Sequence, residues 1–215
     1  MKRTRVTAIA SATAAALLVV SGCGSANAGH GLTVSGLHDK ARTAQSHTTQ
    51  SCPLNYNVGE AAKKIGVADP VEPAHDENAV SVETADSAGS GSALEQAAGT
   101  LVECDYQIGS DRVAVYTTGV ERTPQFSALG LMMPRIGSDA QLASGALASY
   151  FDQAQKAVLG TATVTSSGTV AAVRLPVQGG GDIALVLSAG DQGHAALGAD
   201  KLKTLAESLA AQANW

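Results

Sequence analysis

The chain has 215 residues, 45% hydrophobic but only 3% aromatic, with 14 Lys and Arg against 19 Asp and Glu. That length suits one ordinary folded domain, and a net charge of −5 disfavours nucleic acid as a partner. No Gly-x-Ser-x-Gly, Ser-x-x-Lys, His-Glu-x-x-His or Walker loop occurs, so no familiar catalytic or nucleotide-binding constellation is present.

Residues 1–22 carry Lys2, Arg3 and Arg5, then an uncharged run from Val6 to Val20, then small residues. This is the layout of an export signal. At about 15 residues the run is shorter than the roughly 20 that a membrane-spanning helix needs. Val20-Ser21-Gly22-Cys23 resembles the lipobox of bacterial lipoproteins. The resemblance implies cleavage before Cys23 and a diacylglyceryl thioether on its sulfur. The competing possibility is an ordinary secretory signal cut at Ala26-Asn27-Ala28. Two or more acyl chains, at about 0.8 kcal/mol per buried CH₂, hold a protein firmly at a membrane. The expected address is therefore the extracytoplasmic face of the cell membrane, with the membrane as a partner through the anchor. Cleavage removes three basic residues and no acidic ones, leaving 11 against 19 and a net charge of −8.

If lipid takes Cys23, the remaining cysteines are Cys52 and Cys104, one pair for an oxidising compartment. Bridging a loop of about 50 residues stabilises by roughly 4 kcal/mol on the chain-entropy model. A redox-active pair or two free thiols are the alternatives, although there is no Cys-x-x-Cys spacing.

Residues 23–51 read as the lipidated cysteine and a flexible linker, rich in Ser, Thr, Gly and Ala without a sustained apolar period. Such a coil spans roughly 30 Å r.m.s.. His30, His38 and His47 lie in it but lack metal-ligand spacing, and neither a metal nor another cofactor is expected. The folded domain is expected over 52–215. Val58, Ala61, Ala62 and Ile65 fall at i, i+3, i+4, i+7 after Asn57, which with Glu60 forms a capping box, so a short helix is predicted. The stretch Asp69 to Ser92 is acidic and Gly/Ser-rich and reads as mostly loop. Between Ile65 and Asp111 there is no Lys or Arg and ten carboxylates accumulate, without the Asp-x-Asp-x-Asp-Gly spacing that wraps Ca²⁺; a solvated face is the plainer account.

Val102, Cys104, Tyr106 and Ile108 alternate with polar residues, Gly109-Ser110-Asp111 turns the chain, and Val113 and Val115 return, which predicts a hairpin. Phe126, Leu129, Leu131, Met132, Met133 and Ile136 then occupy a connection broken by Pro and Gly. Six large apolar residues there suggest a ligand or partner contact, or else a cap on the core. A long helix is expected from Asp139 to Val158, opened by Ser138 with Gln141. Strands follow at Ala162 to Ser166, Val170 to Val177 and Ile183 to Ser188, and a last helix at Asp200 to Ala213 carries Leu202, Leu205 and Leu209. This order predicts a single α+β domain, a meandering antiparallel sheet with helices packed against it.

With Cys52-Pro53-Leu54 leading into a short helix and Cys104-Asp105-Tyr106 in a strand, the layout resembles the uncharacterised small lipoproteins of actinobacterial cell envelopes. Many members carry Trp where this chain has Tyr106. The resemblance implies a non-enzymatic extracytoplasmic binding or accessory domain for a small ligand or an exported protein, and it transfers no functional residue beyond the two cysteines. The alternative is an exported hydrolase with an unrecognised carboxylate or histidine site, for which His75 and His194 are the available bases. A cleft uniting either histidine with carboxylates would favour the hydrolase, and an apolar groove the binding module.

Overall fold

Period-two alternation gives the central strands two different apolar faces, and the chain builds a helical layer on each. The structure is a computed structural model describing residues 31–46, 51–67, 71–74, 79–190 and 194–214. In chain order the elements are α1 (Val34–Ser46), α2 (Val58–Lys64), β1 (Glu72–Pro73), β2 (Val80–Thr84), α3 (Ala93–Gln96), β3 (Gly99–Ile108), β4 (Asp111–Val120), α4 (Ala128–Leu131), α5 (Met133–Asp139), α6 (Ser144–Lys156), β5 (Ala162–Val164), β6 (Val170–Leu175), β7 (Asp182–Ala189) and α7 (Gly198–Ala210). The strands form one antiparallel sheet in the order β1-β3-β4-β7-β6-β5, with β2 also on β3. The expected single α+β domain is observed. Among the described residues no helix is long and apolar enough to cross a membrane.

One face of the sheet carries Val102, Val115, Val173, Ile183, Leu185 and Leu187 against α1, α2 and α7. The other carries Tyr116, Val120, Val170, Ala172 and Val186 against α4, α5 and α6. Because β7 is covered on both faces, Ile183 to Leu187 reads as a continuous apolar run. The hairpin β3–β4 pairs Ile108 with Asp111 across Gly109-Ser110. Gly109 sits at φ +61°, the conformation that favours glycine as the first residue of such a turn. At α2, Asn57 Oδ1 accepts from the Glu60 amide at 3.0 Å, as the capping pattern predicts. Leu202, Leu205 and Leu209 of α7 are fully buried. Cys52 and Cys104 are bonded with their Cα atoms 5.6 Å apart, which ties the entry to α2 to strand β3.

Three expectations need correction. The linker assigned to residues 23–51 contains α1, so the fold begins well before Cys52; Cys23 itself and residues 47–50 lie outside the described residues. Leu32, Val34, Leu37 and Ala41 are few, but they fall on one stripe and all are buried. The sheet receives them where it has no side chain: a Cβ on Gly119 would sit 2.9 Å from Leu37 Cδ2. Thr33 Oγ1 caps the helix by accepting from the Gly36 amide at 3.0 Å.

The stretch Asp69 to Ser92 is also less of a loop than expected. It supplies β1 and β2, which pair with β3 although β1 is exposed and β2 is mostly half-buried, so neither shows a clean alternation. The helix expected over Asp139 to Val158 is shorter, α6 over Ser144–Lys156, and Asp139 is the last residue of the preceding α5. Gln141 adopts φ +51°, its side chain donates to the Ser138 carbonyl at 2.8 Å, and α6 restarts at Ser144. The break lets Ile136 of α5 and Tyr150 and Ala154 of α6 bury against the same sheet face, while Val158 ends up 76% exposed.

A Leu37→Ala substitution is expected to cost about 2–5 kcal/mol of unfolding free energy, as for other buried leucines. A denaturant curve unchanged by the substitution would return residues 31–46 to the status of a linker. Replacing Cys52 and Cys104 together with Ala is expected to cost about 2–5 kcal/mol, read as a lowered unfolding midpoint.

Candidate functional site

On the face covered by α4 to α6, the sheet carries charge next to its apolar patch. Glu103 and Asp105, two residues apart on β3, share that face; across the hairpin Glu103 lies opposite Tyr116 and Asp105 opposite Ala114. Small residues at Ala114, Ser188 and Gly190 leave a cleft of about 210 Å³, which Arg112, Tyr116, Arg135 and Asp139 complete. It is smaller than the roughly 300–1,000 Å³ typical of sites for drug-sized ligands.

Each carboxylate has a guanidinium from a different element. Arg112 of β4 donates through Nε to Asp105 Oδ2 at 3.0 Å, and its Nη2 reaches the same oxygen. The Asp105 side chain is 2% exposed, so this is a buried charge held by a half-exposed partner. Arg135 of α5 lies over the Tyr116 ring, with Cζ 5.2 Å from its centroid, and places Nη2 3.7 Å from Glu103 Oε2. Both arginine side chains keep about half of their surface in solvent, 51% for Arg112 and 50% for Arg135.

Burial pushes the Glu103 carboxyl above the usual range, Arg135 opposes this, and the neighbouring Asp105 adds to it. The Tyr116 phenol is also pushed far up, first by burial and then by the charge of Glu103. Two carboxyl groups and two guanidiniums thus line one small cleft, an arrangement able to exchange hydrogen bonds with a small polar solute.

The residues expected to form the contact surface lie elsewhere, and that expectation is corrected. Leu129 and Ile136 are fully buried, Met132 nearly so, Phe126 and Leu131 pack partly buried against the same cluster, and Met133 is half-buried. The Pro and Gly breaks divide the segment into α4 and α5, each short enough to lie flat on the sheet. Ser127 Oγ caps α4 by accepting from the Gly130 amide at 3.0 Å. Among the described residues the exposed large apolar side chains are Val158 and Leu159.

The two described histidines do not join the cleft. His194 is exposed and lines no part of it, and His38 Nδ1 is 3.1 Å from Thr100 Oγ1 on the opposite sheet face; His30, His47 and His75 lie outside the described residues. Among the described residues no group of three His, Cys, Asp or Glu is placed to hold a metal ion. The cleft is not the apolar groove that the sequence suggested as one alternative, and among the described residues no histidine joins its carboxylates. Its signal was available in part: the hairpin register that sets Asp105 opposite Ala114 brings Arg112 to the same face. Arg135, 32 positions beyond Glu103, gave no such signal.

A raised Glu103 pKa fixes a sign for the pH dependence of stability. The contribution is fully present below the unfolded-state pKa, where Glu103 is protonated in both states, and is lost as pH rises through the folded value. Glu103→Gln, a neutral mimic, is expected to raise the melting temperature at pH 7.5 and to leave it nearly unchanged at pH 4. A variant that is less stable at pH 7.5 would mean that the Arg135 pairing outweighs burial.

No protein-family model, curated protein or solved structure matches this chain.

Proposed function

We propose that the protein is a lipid-anchored extracytoplasmic lipoprotein whose folded domain is a non-enzymatic binding or accessory module, with the cleft on β3 and β4 as its ligand site. One observation carries the anchor: the Cys52–Cys104 bond accounts for two of three cysteines. The third is Cys23, immediately after an export-type segment, in Val20-Ser21-Gly22-Cys23. A disulfide belongs to an oxidising compartment, which agrees with export. The ligand fitting the cleft is a small polar solute recognised by paired carboxyl and guanidinium groups.

A second reading, an exported hydrolase, is favoured by one feature, the two carboxyl groups on one sheet face in opposite environments. Glu103 would act as general acid and Asp105 as its ionised companion. Hydrolysis of a chromogenic glycoside or ester by the purified protein, abolished by Glu103→Gln, would replace the binding reading with this one.

The anchor is tested by Cys23→Ala. The native protein is expected in the detergent phase, with an intact mass showing acylation and loss of residues 1–22. The variant is expected unprocessed or in the aqueous phase. A variant that is still processed and acylated would remove the proposal.

A further inference from the structure

We infer that the domain meets its own membrane with one defined end of the sheet, the end formed by the β6–β7 turn and the segment after β4, which holds the cleft away from the lipid. The inference rests on the anchor proposed at Cys23. The described residues begin at 31, and seven residues of sequence, 24–30, lie between the anchor and Gly31. Eight Cα-to-Cα steps of roughly 3.3–3.6 Å reach at most about 28 Å.

The point where the chain enters the fold is well defined. The Gln178 amide donates to the Leu32 carbonyl at 2.8 Å. A Cβ on Gly31 would lie 1.9 Å from the Gln178 side chain, and one on Gly181 would lie 2.5 Å from Val34. The chain therefore enters at the β6–β7 turn, beside Val120, which pairs with Asp182. The Gly109-Ser110 turn is at the other end of β4, ten residues away. At about 3.3 Å per residue that is roughly 33 Å, longer than the anchor segment can reach. A sheet standing upright on its far end would hold Gly31 beyond the reach of the anchor segment, so that orientation is excluded.

The chemistry of the near end agrees. In a mature chain of charge −8, segments 121–125 and 176–180 carry one acid, Glu121, and one base, Arg122. A shallow depression of about 520 Å³ opens there, lined by Gln96, Arg122, Thr123, Gln125 and Phe126. Arg122 Nη1 donates to the Gln96 carbonyl at 2.8 Å, which holds a guanidinium at this end, the group suited to lipid phosphate. The cleft lies in the distal half of the sheet, where Ser188 pairs with Ala114 and the Gly190 amide donates to the Arg112 carbonyl.

The test uses the full-length, processed protein in vesicles of phosphatidylethanolamine and phosphatidylglycerol containing a headgroup-labelled acceptor lipid. A thiol donor dye is placed at Gly180→Cys or at Ser110→Cys; Ser110 is exposed, and a side chain at 180 meets nothing within 4 Å. Energy transfer is expected to be several-fold stronger from position 180 than from position 110. A lipidated, vesicle-bound protein with equal transfer from both positions, or stronger transfer from 110, overturns the orientation while the anchor stands. An intact mass without acylation at Cys23 overturns both.

Discussion

The pairing of β4 with β7 joins the two halves of the chain, and the rest of the fold is arranged around it. Val113 to Val120 lie opposite Ala189 to Asp182, strands separated by more than 60 residues that include α4, α5, α6, β5 and β6. Closing so long a loop costs entropy that grows only slowly with its length, and apolar burial on both faces of the two strands offsets it. A buried carboxylate stands at each end of the pairing and clasps the backbone of the next connection. Asp182, opposite Val120, accepts from the Ala128 amide at 2.9 Å and lies 3.5 Å from Arg174. Asp111, at the start of β4, accepts from the amides of Ala196 and Leu197 at 3.0 and 2.7 Å, just before α7. One acid thus fixes the entry to the helices of one face, and the other fixes the helix of the opposite face. Charged acceptors on buried amides are worth more than neutral ones, which is why two carboxylates are tolerated within the frame.

The two faces serve different ends. Against α1, α2 and α7 the sheet is apolar along its length, and the Tyr56 hydroxyl entering that core is paired with Thr117 Oγ1 at 2.9 Å. Against α4 to α6 the apolar patch gives way to Ala114, Ser188 and Gly190, and the helices do not fill the space above them. Glu103 in that gap is costly to the fold, since burial opposes its charge more than Arg135 supports it. A carboxyl group held at such a cost is what the proposed ligand site would draw on. Arg135 links the two requirements, stacking on Tyr116 at the edge of the core while pairing with Glu103 in the cleft.

The sequence showed the parts of the fold whose signals are local. The β3–β4 hairpin, strands β5 to β7, the capped α2 and the leucine stripe of α7 each carry their period and their turn within one window. The odd cysteine count likewise pointed to the Cys52–Cys104 bond before any contact was visible. What escaped was set by partners distant in sequence. The helix α1 has three buried residues in thirteen, and only the glycine-lined surface of the sheet makes that enough. Likewise, β2 owes its existence to a place on the edge of β3. Alternation assigned Glu103 and Asp105 correctly to one face, but that face looked wet because Arg135 arrives from a helix that the sequence had drawn as an irregular connection. Of the two readings open for Phe126 to Ile136, the cap on the core fits Leu129, Met132 and Ile136, which are buried, while the acidic strand, which looked like a solvated face, lines the cleft.

The sheet's β5 edge explains why both helical layers are needed. An open strand offers unpaired amides and carbonyls to any neighbouring chain, a liability for association. Here the Ala162 amide is taken by Glu207 Oε1 of α7 at 3.1 Å, and the Thr163 carbonyl by the Tyr150 hydroxyl of α6 at 3.0 Å. Burial pushes the Tyr150 phenol far above its ordinary pKa, so it stays a donor at any physiological pH. The two side chains come from opposite faces and meet the same three-residue strand, so neither layer alone would close it. On the other edge, β1 and β2 share β3 as short strands, and acidic side chains such as Glu72 and Glu83 accompany them. Both edges are thus blunted by side chains instead of by further strands.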